Sequence, residues 1–398
     1  MKNQPLRLRR ARIATMLIFL VCGIGLSSWA PMVPYAKDRL GLHDGQLGML
    51  LLFLGFGALV MMPVSGILIN RFGTRIITAI GAGIIAWSLP TLIIVHNIPL
   101  MAVALFFFGA GIGTIDVAMN AHGVQVQNLY GRPIMSSLHG LFSVGGLVGS
   151  LGLGALVKVG LAPLYAALGI SLLLAIIAAS QYRYFLDYRT ERETITMFAG
   201  ENAPGSDRRS RVPWLRSSVL FLGFMCFAVF LAEGAILDWS AVFLRDTKGV
   251  SQEFSGVGYA AFSVAMATMR LLGDGLVERL SGKSVVLGGS MLATLGLALS
   301  IWSPSVYMVL FGYVLLGVGA ANIVPIFFSA GGRLPGLSPN VSIPAITTIG
   351  YLGQLAGPAL LGLIAHQYSL AVAFGFTTAV MAAVGVVYFL FSSVVVKH

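Results

Sequence analysis

The chain has 398 residues, of which 57% are hydrophobic and 10% charged, with 49 glycines, and its apolar residues come in runs of about twenty. A hydrocarbon core about 30 Å thick needs ~20 apolar residues per helix, so this composition describes a polytopic membrane protein and leaves no room for a soluble enzyme domain. The formal charge of +11 is no mark of nucleic acid: 19 of the 25 Lys and Arg fall on one side of the predicted spans, five (Lys37, Arg39, Lys158, Arg245, Lys248) on the other, and Arg270 inside a span. Such a bias predicts both termini in the cytoplasm. Cys22 and Cys226 lie inside predicted spans as packing thiols, and the six histidines form no cluster with metal-ligand spacing, so neither metal nor cofactor is expected.

Twelve spans are predicted, at about 13–36, 45–69, 75–96, 100–126, 134–158 and 162–184, then at about 217–243, 254–276, 284–302, 305–332, 340–365 and 368–394. The first, with its basic flank and Ser28, Trp29 and Ala30, imitates a cleavable signal peptide. It also has an internal counterpart in the seventh span, so it is expected to stay. Between the second and third spans stands GILINRFGTR, with Gly66 and Gly73 around the turn, Asn70 beside them, and the guanidinium groups of Arg71 and Arg75.

The fourth span carries Asp116 and Asn120 one turn apart on one face, with Gln127 continuing the stripe. A carboxylate at a bilayer centre costs roughly 2.5–3.5 kcal/mol on insertion scales, which marks Asp116, and Glu233 and Asp238 in the seventh span, as candidates for substrate or proton handling. An acid beside an amide can bind sugar hydroxyls; a structural hydrogen bond to a neighbouring helix is the alternative. Glu233 and Asp238 lie about 140° apart around their helix and cannot share one face. Trp29 and Trp239 suit either stacking on a sugar ring or the interfacial aromatic belt. In the fifth span Ser136, His139, Ser143 and Ser150 form a polar stripe, in which His139 is either a proton relay or a satisfied structural histidine. Tyr259 and Ser263 mark the eighth span, Asn322 the tenth, and Thr347, Tyr351 and Gln354 the eleventh. The third, sixth, ninth and twelfth spans have no comparable stripe, as expected of a lipid-facing outer ring.

Residues 185–216 are the one long polar stretch and read as a solvated linker between an N-terminal six-helix bundle, 1–184, and a C-terminal one, 217–398. Sliding the chain by 208 positions superposes Arg71 on Arg279, Gly109 on Gly317, Gly111 on Gly319, Gly145 on Gly353, Gly149 on Gly357 and Gly154 on Gly362; a shift of 210 pairs Trp29 with Trp239. Parallel duplication of a six-helix unit accounts for these coincidences. The repeated glycines remove side-chain bulk so that helix backbones can approach.

The loop GILINRFGTR resembles the signature loop of the major facilitator superfamily, with Asn70 where that family usually has Asp. A weaker copy follows the eighth span, with Arg270, Gly273, Asp274 and Arg279. GAGIGTIDVAMN, EGAILDWSAVFL and GYLGQLAGPALLG are similar to segments of the fucose permease branch and its bacterial inner-membrane relatives, although the first span here has no acid. The resemblance implies twelve helices in two pseudo-symmetric bundles, with the first, fourth, seventh and tenth spans lining a central cavity. It further implies proton-coupled symport of a small polar solute, sugar or sugar-like, by a monomer in a bacterial inner membrane. Carried over, Gly66, Asn70, Arg71, Gly73 and Arg75 would form a conformational latch with Arg270, Asp274 and Arg279, and Arg270 with Asp274 would form a local i, i+4 ion pair. A proton-driven efflux antiporter and a non-transporting sensor are the alternatives. The fifth span lacks the Gly-Pro element of drug antiporters, and no signalling domain is present. No nucleotide loop or nucleophile elbow supports an enzyme.

Overall fold

The computed structural model describes residues 4–42, 44–199, 213–251 and 256–395; Lys2, Lys397 and positions 200–212 of the expected linker lie outside them. The helices are α1 (Gln4–Ser28), α2 (Val33–Leu40), α3 (Asp44–Phe72), α4 (Thr74–Ile94), α5 (Ile98–Tyr130), α6 (Met135–Lys158), α7 (Pro163–Tyr182), α8 (Tyr188–Ala199), α9 (Ser217–Val242), α10 (Val257–Leu280), α11 (Gly282–Trp302), α12 (Val306–Ala320), α13 (Ile323–Gly331), α14 (Pro339–Gln367) and α15 (Leu370–Val395). Among the described residues twelve spans are long and apolar enough to cross a membrane, α12 and α13 together making one of them.

Local chemistry sets the helix ends. The Asn97 side chain accepts from Leu100 N at 2.9 Å and caps α5, whose 33 residues end where Gly131 turns left-handed at φ 71°. The first predicted span is not continuous: α1 stops at Ser28 and a 3-10 turn, Ala30–Met32, leads into α2. Pro31 and Pro34 offer no N–H to an α-helical ladder there. The tenth span breaks at Ala321 and Asn322, because Pro325 cannot donate to the Ala321 carbonyl four residues earlier; the next bond of the ladder, Ile326 N to Asn322 O at 3.2 Å, is intact.

The chain divides into two compact units. Unit 1 comprises Met1–Gly131, Leu141–Arg208 and Pro335–Pro344; unit 2 comprises Arg132–Gly140, Arg209–Leu334 and Ala345–His398. Helix α6 is therefore divided after Gly140 and α14 after Pro344.

The same glycine contacts build each unit. In unit 1 a Cβ on Gly109 of α5 would lie 1.8 Å from the Leu54 carbonyl oxygen of α3; in unit 2 a Cβ on Gly317 of α12 would lie 2.5 Å from the Phe262 carbonyl oxygen of α10. Both members of the pair are displaced by 208 (54 to 262, 109 to 317). The rule repeats for Gly111 against Ile84 and Gly319 against Leu292, again 208 apart at both ends. Gly145 and Gly149 of α6 would meet the Leu20 and Ile24 carbonyls of α1 at 2.4 Å, as Gly353 of α14 would meet the Phe227 carbonyl of α9 at 2.1 Å. Only hydrogen fits between backbones this close, and the close approach gives dispersion and Cα–H···O contacts that lipid cannot replace.

Two of the five cations assigned to the sparsely charged side have a repeated structural task. Arg39 of α2 donates to the Leu92 carbonyl at 2.7 Å and to the Ile93 carbonyl at the end of α4, while Lys248 donates to the Ile301 carbonyl at 3.0 Å and the Ser303 carbonyl at 2.7 Å at the end of α11. The last four carbonyls of a helix lack intrahelical partners and sit at its negative pole, so a cation there is stabilised twice over. Ile93 and Ile301 are again 208 apart.

Candidate functional site

In unit 2 the Arg270 guanidinium reaches from α10 to Glu233 on α9, with Nη2 3.0 Å from Oε1; only 8% of the arginine side chain and 18% of the glutamate side chain are exposed. Arg270 Nε also donates to the Ala321 carbonyl at 3.2 Å, the acceptor that Pro325 leaves open at the break of the tenth span. A charge pair removed from water is held only if its remaining donors and acceptors are satisfied, and the broken helix supplies that satisfaction. Asn322, 2% exposed, sits at the same break and donates to the Met269 carbonyl at 3.3 Å. A Cβ on Gly273 would lie 1.9 Å from the Asn322 side-chain oxygen, so glycine is required for α10 to pass.

Arg270, expected in a conformational latch, is thus the direct neighbour of Glu233 in this buried cluster. Asp274, one turn beyond Arg270, accepts from Ser136 N at 3.0 Å and Ser137 N at 3.2 Å, capping the start of α6. His139 is buried with its ring 5.6 Å from Phe328. Tyr351 lies 5.0 Å from the Phe230 ring, and Gln354 packs opposite Gly234, beside Glu233. Asp238 is exposed, while Trp239 packs against Gly362.

In unit 1, every residue of α5 from Phe108 to Asn128 is buried. Asn120 donates from Nδ2 to the Asp116 backbone oxygen at 2.9 Å and its Oδ1 at 3.3 Å, so the acid and amide predicted to share a face do so in contact. Sequence reasoning missed two polar neighbours on this helix. Gln125 donates to Asn340 Oδ1 at 3.2 Å, and His122 joins three segments. His122 Nε2 accepts from Leu186 N at 3.1 Å, which leaves the Nδ1 proton to face Thr15 Oγ1 at 2.9 Å, while the Thr15 hydroxyl donates to the Ala11 carbonyl at 2.8 Å. Phe185 stacks on the imidazole at 4.1 Å. Trp29 is 5% exposed, and its indole N–H, like that of Trp239, is buried without a hydrogen-bond partner among the described residues.

The signature loop is held by the segment expected to be a solvated linker. Gly73 has φ 82° and starts α4 without a side chain to cap it. The cap comes in trans: the Glu191 carboxylate on α8 accepts from Thr74 N at 3.1 and 3.2 Å and from the Thr74 hydroxyl. Tyr188 Oη and Arg192 Nη2 donate to the Asn70 carbonyl at 3.0 and 3.2 Å. Glu191, 1% exposed, thus supplies a carboxylate at a loop whose usual Asp is replaced by Asn70. Burial pushes its carboxyl up to about 7; the Thr74 bonds oppose that rise and the neighbouring Asp187 adds to it. A Cβ on Gly66 would lie 2.6 Å from the Pro344 ring and 3.1 Å from the Asn340 carbonyl oxygen. Arg71 lies over Phe72 at 5.2 Å and Arg75 over Tyr182 at 4.0 Å, while Arg279 is exposed at the end of α10. The two arginines expected as latch cations are thus seated on aromatic rings.

The sequence profile of the Major Facilitator Superfamily matches residues 15–341. The chain is 42% identical over 364 residues to an uncharacterized MFS-type transporter of Yersinia pestis, covering 92% of this chain and 91% of that protein. It is 29% identical to the membrane protein MosC of Rhizobium meliloti, over 91% of this chain and 85% of that one. Among solved structures, it is similar to the transporter FucP in its outward conformation, with a TM-score of 0.76 at 14% identity over 95% of this chain and 98% of that one. It is also similar to the proton:xylose symporter XylE, with a TM-score of 0.74 at 14% identity over 98% and 96%.

Proposed function

Because the chain belongs to the Major Facilitator Superfamily and is a transporter by family, we propose that it performs proton-coupled symport of a small polar solute, sugar or sugar-like, by alternating access. The buried pair of Glu233 and Arg270 carries this reading. Protonation of Glu233 breaks its ion pair with Arg270, and breaking a buried pair on one side costs about 3–5 kcal/mol. A proton and a rearrangement around Arg270 are therefore coupled through one contact. Asp116 and Asn120 offer an acceptor-rich carboxylate beside an amide, a combination suited to hydroxyl groups. The sugar reading also draws support from the similar structures of a fucose:proton and a proton:xylose symporter. In this proposal the termini face the cytoplasm of a bacterial inner membrane, the protein is a monomer, and six-helix halves 1–184 and 217–398 are joined by 185–216.

The test uses purified protein in sealed vesicles. A screen of sugars and polyols by thermal shift identifies the solute, and uptake is then followed under an imposed proton gradient. Glu233→Gln is expected to abolish accumulation against a gradient while retaining solute exchange, and Asp116→Asn to weaken solute binding. Normal proton-driven accumulation in both variants would remove the proposal.

A further inference from the structure

Helices α1, α4 and α7 of unit 1 come together where α1 and α4 start and α7 stops. There the Arg10 guanidinium lies 5.7 Å from the centre of the Tyr184 ring, and Arg183 lies 4.8 Å from the same ring. Arg75 lies 4.0 Å over Tyr182. A guanidinium on an aromatic face is held in place by the ring quadrupole and keeps its N–H edge for an anion. None of these three cations has a carboxylate within ion-pair distance among the described residues. Asp187, which accepts from Thr190 N, feels the Arg75 charge from beyond that distance, while Glu191 caps Thr74 and Glu193 pairs with Arg189. Arg75 Nε is in addition buried without a hydrogen-bond partner. Two like charges near one ring repel, and an anion bound nearby would offset that repulsion.

The neighbourhood identifies the source of the anion. Inward along the helices that begin beside Arg75 and end before Arg183, α4 exposes Ile76 and Ile80 and α7 exposes Ile176, apolar surface that a free phosphate would not use and an acyl chain would. Tyr182 and Tyr184 follow the apolar run of α7, as aromatic residues do where a helix leaves the hydrocarbon. We propose that Arg10, Arg75 and Arg183, seated on Tyr182 and Tyr184, form a site for the phosphate headgroup of an acidic phospholipid in the adjoining leaflet.

Native mass spectrometry of the purified full chain, with phosphatidylglycerol and phosphatidylcholine added in equal amounts, tests this. Wild type should retain phosphatidylglycerol in preference. Arg183→Gln should reduce that preference about fivefold, and Tyr184→Ala, which leaves every charge in place, should reduce it by a similar factor. Should Arg183→Gln fail to insert, Tyr184→Ala carries the test alone. Equal retention of the two lipids, or a preference untouched in Tyr184→Ala, would overturn the proposal. Displacement of the bound lipid by millimolar inorganic phosphate would also overturn it, by assigning the site to a free anion.

Discussion

The pH dependence of the α8 clamp follows from one side chain. The Glu191 carboxyl is raised from an ordinary 4.5 to about 7 when α8 is docked on Thr74. The docked state therefore binds the proton more tightly than the released state, and docking is strongest below pH ~4.5 and weakens as pH rises to about 7, above which it is level. The difference of 2.5 pH units (7 minus 4.5) at ~1.36 kcal/mol per unit amounts to about 3 kcal/mol across the window. Asp187 is held below the usual carboxylate range by the Thr190 N–H, so its titration falls outside most of this interval. Hydrogen exchange of the α8 amides, corrected for intrinsic rates, should show protection falling about tenfold per pH unit through the window. Glu191→Gln should flatten that slope and keep the low-pH protection. Glu191→Ala removes the cap of α4 and should lower protection at every pH by about 1 kcal/mol. Protection that rises with pH, or a slope that persists in Glu191→Gln, would refute the reasoning.

Three other consequences are accessible to thermal unfolding and transport. Gly109→Ala and Gly317→Ala each press a methyl into a backbone carbonyl, at 1.8 and 2.5 Å, and should destabilise by about 1–3 kcal/mol or more, whereas Gly83→Ala and Gly169→Ala, with nothing within 4 Å, should leave the unfolding midpoint in place. Arg39→Gln and Lys248→Gln should each lose about 1 kcal/mol by uncapping α4 and α11, and the two losses should add, since the caps lie in different units. Arg270→Met should destabilise by about 3–5 kcal/mol by orphaning Glu233, and adding Glu233→Leu should restore most of the midpoint. Accumulation should stay absent in that double variant; a restored midpoint together with restored accumulation would separate the ion pair from proton coupling.

Much of the fold was legible because hydropathy and small-residue spacing are local signals. The twelve spans, the repeat at 208 and the contact between Asp116 and Asn120 all follow from positions a few residues apart or from one constant offset. What escaped has a common physical origin in contacts between distant segments. Glu233 finds Arg270 37 positions along the chain, and nothing in either span announces the other. Glu191 lies in a polar stretch that reads as solvated, yet its helix buries Glu191, Thr194 and Ile195 on one face; the amphipathic spacing was the available signal. Pro325 was a second one, since a proline four residues beyond Ala321 frees that carbonyl wherever it occurs in a helix.

Within duplicated scaffolding, the chemistry has become one-sided. Moving Asp116 by 208 lands on Val324, fully buried, and moving Arg270 back lands on Met62, also fully buried. Glu233 moved back by 210 lands on Gly23, where a Cβ would strike the Phe142 carbonyl at 2.1 Å. The glycines and the helix caps therefore recur where backbones meet, whereas no ionisable group of either cluster has a counterpart in the other repeat. Unit 1 keeps an acid with an amide, and unit 2 keeps an acid with a cation. A carboxylate bonded to an amide can exchange one neutral partner for another without exposing a charge, and a carboxylate bonded to a guanidinium cannot be neutralised without unbalancing one. In the proposed symport that difference suits Asp116 to solute contact and Glu233 to proton coupling, and it predicts that Asp116→Asn raises the solute concentration needed for half-maximal uptake while Glu233→Gln changes the response to an imposed pH gradient.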